Sequence, residues 1–223
     1  MASKRTWLVG SALAALALYA LLWIAVAQQW NWVTTVDSAA LNPFHRYGSD
    51  HPGWVLGWDI FCTLLGPGAF RLATAVLIIV ALIRRSFRLA LFLFLTVELA
   101  GLVTELAKAA ADRPRPDTAF VTALGTSFPS GHALGVLVAV AALLTVALPT
   151  VRKPLRGYLI GAGALIVIAI GVGRVVLNVH HPSDVLAGWA LGYAYFVTCL
   201  LLAPPNRPVT QRDETPQAPG TAR

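Results

Sequence analysis

Apolar residues in this chain come in long, nearly unbroken runs rather than in the alternating or 3.6-residue patterns of a fold with one face in water. The runs cover about residues 6–28, 69–83, 87–111, 131–149, 157–178 and 185–203. Their lengths lie at or near the 17–25 residues a helix needs to cross roughly 30 Å of hydrocarbon. They predict an all-α bundle of six membrane spans, because in lipid a helix satisfies its own backbone polar groups. A shorter stretch, 54–65, carries Asp59 and is flanked by Pro52, Gly53, Gly66 and Pro67. Charge and breakers together predict a short interfacial helix between spans one and two. Residues 1–205 read as one integral membrane domain with its core at 67–203. Residues 206–223, rich in Pro, Thr, Gln and charge without apolar period, read as a disordered tail. The first run follows Lys4 and Arg5 and ends in Ala25-Val26-Ala27, like a cleavage site. It is longer than the 7 to 15 apolar residues typical of a signal peptide, which predicts a retained anchor.

Composition agrees: 57% of residues are hydrophobic and 12% charged, against about 25% charged in soluble domains. The net charge of +7 does not imply a nucleic-acid partner, because the basic residues sit in loops between spans rather than along a polar face. Lys4, Arg5, Arg84, Arg85, Arg88, Arg152, Lys153, Arg156, Arg207, Arg212 and Arg223 all fall on one side of the six-span topology. The positive-inside rule makes that side the cytoplasm, with both termini there, and predicts a multi-pass protein of the plasma or inner membrane. Arg46, Arg71, Lys108, Arg113, Arg115 and Arg174 fall at or near the opposite face, where Trp30, Trp32, Trp54 and Trp58 form an interfacial belt. Cys62 and Cys199 lie inside apolar stretches and read as core residues.

Cations held against the positive-inside rule need a reason, and most of them belong to three short strings. In KAAADRPRP (108–116), Pro114 ends the third span near Asp112. Lys108 and Arg115 can then face one anion, a point charge beside a planar fork. In PSGH (129–132), Ser130 is placed as an N-cap and Gly131 allows close approach, so His132 lies beside a helix start that attracts anions. In RVVLNVHHPSD (174–184), Arg174 and His180 would stand about 240° apart on a continuous helix. Asn178 and Pro182 supply a bend that can unite them. Ser183 is expected to cap span six, bringing Asp184 beside His180, where a carboxylate fixes the tautomer and supports positive charge. His181, extended before Pro182, is the competing ring. Such a set suits cleavage of a phosphate ester at a membrane surface, hence a lipid phosphate.

Together the strings resemble the type 2 phosphatidic acid phosphatase superfamily, whose site is shared with vanadium haloperoxidases. The matching residues are Lys108, Arg115 and Pro116; Pro129, Ser130, Gly131 and His132; and Arg174, His180 and Asp184. Gly173 stands where the family usually has Ser, which implies a modest loss of anchoring. The resemblance implies that His180 attacks phosphorus, giving a phosphohistidine, that His132 protonates the departing alkoxide and that Asp184 orients His180. It assigns Lys108, Arg115, Ser130, Gly131 and Arg174 to the phosphate oxygens. It implies no cofactor and no metal, the cations taking the place of Mg²⁺; Asp112 and Asp117 then balance neighbouring arginines. An outward site favours a polyprenyl (undecaprenyl) diphosphate as substrate, with phosphatidic acid or phosphatidylglycerol phosphate as alternatives. A lipid phosphotransferase, a non-catalytic lipid-binding bundle and a haloperoxidase are the competing classes. Gly188 and Gly192 on span six suit packing within the bundle or against a second copy in a homodimer. Glu98 and Glu105, seven residues apart on span three, are expected to find packing partners.

Overall fold

The computed structural model describes residues 2–205, whose regular elements are helices with no strand among them. In order they form α1 (Ala2–Ala27), α2 (Asn31–Asp50), α3 (Pro52–Leu64), α4 (Pro67–Ile83), α5 (Phe87–Leu93), α6 (Ala100–Ala111), α7 (Gly131–Ala147), α8 (Lys153–Val176) and α9 (Pro182–Leu202). A π-helical turn, Phe94–Glu98, joins α5 to α6. The expected tail at 206–223 lies outside the described residues.

The all-α reading holds, and its span count is adjusted. Ser3–Ala27, Pro52–Ile83, Phe87–Ala111, Lys153–Val176 and Pro182–Leu202 are long and apolar enough to cross a membrane, while Gly131–Ala147 is apolar but shorter. Two helices, not one, separate α1 from α4, and α3 runs through a bend at Leu65-Gly66 into α4. The helix expected at 54–65 is α3, and the unexpected one is α2. Pro52 and Pro67 open α3 and α4, at positions whose N–H would have no partner anyway. α2 buries a stripe of Val33, Asp37, Leu41 and Gly48, the spacing of an amphipathic helix with one face on the bundle.

The core lies between α7, α9 and the α5–α6 segment. Leu134, Val138, Ala139 and Ala142 meet Phe92, Leu93, Val97 and Ala100 on one side and Phe196 and Val197 on the other. Gly188 and Gly192 serve this packing: a Cβ on Gly188 would stand 2.6 Å from the Ser130 carbonyl and one on Gly192 3.2 Å from that of Leu134. Both glycines therefore belong to the interface of α9 with α7. Cys62 and Cys199 are buried free thiols, as expected.

Candidate active site

The C-terminal ends of α6 and α8 meet the N-terminal ends of α7 and α9, so all three strings arrive at one end of the bundle. Lys108 lies in the last turn of α6, which stops where Asp112 takes φ of 43°. The segment beyond it is tied back by Ser127, whose N–H donates to the Arg113 carbonyl (2.8 Å) and whose hydroxyl donates to that of Pro114 (2.9 Å). Ser130 caps α7 as expected, accepting from the Ala133 N–H at 3.5 Å. At Gly131 a Cβ would meet Thr104 Cγ2 at 3.0 Å, so the start of α7 is pressed onto α6. His132 follows in the first turn, its Nε2 3.3 Å from where a Gly66 Cβ would be. Its ring lies within electrostatic reach of Arg174, His180, Lys108 and Arg115. After α8 the chain bends at Asn178 (φ 53°), and the N–H groups of Val179 and His180 both donate to the Arg174 carbonyl, at 3.2 and 3.3 Å.

The start of α9 corrects one expectation. His181, not Ser183, is the N-cap, with φ −76° and ψ 154° and its N–H donated to Asp184 Oδ2 at 2.8 Å. Pro182 explains it: the residue before proline is held extended, which is N-cap geometry, and Pro182 then opens the helix. Ser183 lies inside the first turn.

His180 is 2% exposed. Its Nδ1 faces Asp184 Oδ2 at 3.6 Å, and its Nε2 accepts from Arg115 Nη1 at 3.2 Å. This pairing assigns the proton to Nδ1 and the lone pair to Nε2. Burial drives the ring down to about 4, and Arg174 and Arg115 push the same way, outweighing the opposing pull of Asp184. His180 is therefore neutral near pH 7. Besides His180, Arg115 donates to the carbonyls of Gly125 (3.0 Å), Leu124 (2.8 Å) and Val179 (2.9 Å). Arg174 is buried and forms no ion pair among the described residues; it faces the Cys62 thiol. Lys108 pairs with exposed Glu105 at 3.4 Å, and Glu98 with Arg71 at 3.3 Å. His181, the competing ring, places its Nδ1 3.2 Å from the same Asp184 oxygen. It opens on a cavity of about 590 Å³ lined also by Asp112, Arg113, Arg115 and Asp117. No cluster of three or more His, Cys, Asp or Glu fit to hold a metal occurs among the described residues.

Sequence reasoning missed four residues around this centre. Arg113 bridges Asp184 (2.6 Å) and Asp37 (2.8 Å), and Ser183 hydrogen-bonds both Asp37 and Arg113. Cys62 is the fourth. A Cβ on Gly173 would fall 2.5 Å from Cys62 Sγ and 2.9 Å from Trp58 Cε3. The serine usual in the family does not fit beside Cys62 and Trp58, and its volume is filled from α3.

Residues 89–208 match the model of the PAP2 superfamily, a stretch that holds all three strings. The chain belongs to that superfamily. This PAP2 chain is 37% identical over 99 residues to phosphatidylglycerophosphatase B of Bacillus subtilis (strain 168), covering 43% of the chain and 48% of the relative. It is 35% identical over 144 residues to lipid A 1-phosphatase of Rhizobium johnstonii, covering 54% of each. The matched stretch thus spans about half the length of these curated relatives. The crystal structure of the transmembrane PAP2 type phosphatidylglycerolphosphate phosphatase from Bacillus subtilis superposes with a TM-score of 0.72 at 25% identity, over 85% of this chain and 94% of that one.

Proposed function

We propose that this PAP2 protein is a membrane lipid phosphatase that cleaves a lipid phosphate ester through a phosphohistidine on His180. The observation that carries the reading is the state of His180: a buried, neutral ring with Nδ1 toward Asp184 and Nε2 toward Arg115. In the proposed reaction Nε2 attacks phosphorus in line with the leaving alkoxide, and Arg115 turns its Nη1 from the imidazole to an equatorial oxygen. Arg174, Lys108 and the free N–H groups at Gly131 and the start of α7 take up the growing negative charge, aided by the Ser130 hydroxyl. His132 gives its proton to the alkoxide; water then cleaves the P–N bond, with His132 as base. Arginines and lysine do the work that Mg²⁺ does at other phosphoryl-transfer sites.

Among substrates, the names of the relatives support a lipid phosphomonoester such as phosphatidylglycerol phosphate ahead of undecaprenyl diphosphate. We place the site at the outer face, with both termini in the cytoplasm and α1, α4, the α5–α6 segment, α7, α8 and α9 as the six crossings. The support for this is the basic bias of the opposite loops. The deciding experiment is phosphate release in detergent with EDTA present, from phosphatidylglycerol phosphate, phosphatidic acid, lipid A and undecaprenyl diphosphate. The expected result is metal-independent release, fastest from phosphatidylglycerol phosphate, blocked by orthovanadate and abolished in His180→Ala. A strict metal requirement, or full activity in His180→Ala, overturns the mechanism.

A further inference from the structure

Asp37 lies on α2, outside the family-matched residues and 76 positions from its arginine partner. It is 2% exposed, yet both of its oxygens are in use. Oδ1 accepts the Ser183 N–H at 3.0 Å; Oδ2 accepts the Ser183 hydroxyl at 2.7 Å and Arg113 Nη2 at 2.8 Å. Arg113 Nη1 in turn donates to the Ser183 hydroxyl at 2.8 Å and to Asp184 Oδ1 at 2.6 Å. Asp37, Ser183, Arg113 and Asp184 thus form one connected network. With Oδ1 of Asp184 clamped, Oδ2 is left for the His181 N–H (2.8 Å) and ring Nδ1 (3.2 Å), and it faces the imidazole Nδ1 of His180 at 3.6 Å.

We infer that Asp37 is a positioning residue for the reaction: through Arg113 it fixes the Asp184 carboxylate, and thereby the aim and charge support of His180. The inference rests on the phosphatase reading. Two carboxylates sharing one guanidinium leave the cluster with a net charge of about −1, which steadies the positive charge that develops on His180 as it attacks. Without the charge on Asp37, Arg113 neutralises Asp184 alone and that support fades. Asp37 also supplies, from another helix, an acceptor for an N–H in the first turn of α9. α2 is thus built into the active centre, beyond its packing on the bundle.

The test uses the full-length protein in detergent, with dioctanoyl phosphatidic acid as probe and thermal unfolding followed in parallel. Asp37→Asn is expected to lower kcat about tenfold with KM unchanged within about twofold, the pattern of an interaction used in the transition state. The acid limb of kcat/KM is expected to move to lower pH. The charged or titratable groups facing His180 are Asp184, Arg174, Arg115 and His132, and only the support reaching it through Asp184 changes. Asp37→Glu keeps the charge and should retain kcat within about threefold with the limb in place. Arg113→Lys, which cannot bridge both carboxylates, should lower kcat as Asp37→Asn does, and it carries the test if Asp37→Asn does not fold. Wild-type kcat and acid limb in Asp37→Asn, or wild-type kcat in Arg113→Lys, overturn the inference whatever happens to the melting temperature. A wild-type protein that neither releases phosphate nor binds orthovanadate overturns the phosphatase reading, and this inference with it.

Discussion

Arg113 and Arg115 stand two residues apart in one Pro-stiffened string and meet opposite fates. Arg113 is sandwiched between two buried carboxylates; Arg115 holds only carbonyl oxygens and the nitrogen of His180. Arg174, buried with no ion pair among the described residues, sides with Arg115. Charge balance therefore separates the two jobs. Among these arginines, the one neutralised by buried carboxylates builds the site, and those left with neutral partners keep their charge for an anionic ligand; Lys108, paired only with an exposed Glu105, can still turn to that ligand.

Substitution of each class should break the comparison in a different observable. The largest effect is expected for Arg115→Ala and Arg174→Met: phosphate release falls roughly 10²–10³-fold, the range for removing a charge-stabilising donor, while the melting temperature drops less than in a variant that strands buried carboxylates. Arg113→Met should instead strip two buried carboxylates of their partner and cost about 3–5 kcal/mol of stability, read as a lower melting temperature together with lost activity. If the two classes lose stability alike, the separation fails. Next in size, Gly173→Ser forces a side chain into space held by Cys62 and Trp58, for about 1–3 kcal/mol. Cys62→Ala should recover part of it, measured by melting of the single and double variants. The smallest and sharpest effect is in pH. Because burial and the two free cations drive His180 down to about 4, the nucleophile stays neutral above that value. The acid limb of kcat/KM should lie near pH 4, well below the ordinary histidine value of about 6.5. A limb at the ordinary value would mean that neither burial nor the cations act on the ring as its surroundings imply.

The sequence made the local rules readable and left the distant ones hidden. Ser130 before an apolar run, the Pro114 stop near Asp112 and the bend between Arg174 and His180 each follow from a few adjacent residues, and each appears where those residues put it. Asp37 gave no such signal. It is one acid in an amphipathic stretch, and its partners lie 76 and 146 positions away. Ser183 shows one local rule overruling another: a serine near a helix start suggests a cap, but the constraint that Pro182 places on His181 is stronger. Gly173 looked like a lost hydroxyl because the filling atom, Cys62 Sγ, comes from α3. The stretch at 54–65 falls on α3, but nothing in it announces α2, the second helix between α1 and α4.

The π-helical turn at Phe94–Glu98 also sets the angular phase of everything after it on that span. A turn of this kind accommodates one surplus residue, worth roughly 100° of helical rotation. Lys108, about three turns further on, takes its angular position around the helix axis from that offset. Deleting a single residue from the turn would leave the apolar character of the span intact and rotate Lys108 by about a quarter turn around the helix axis.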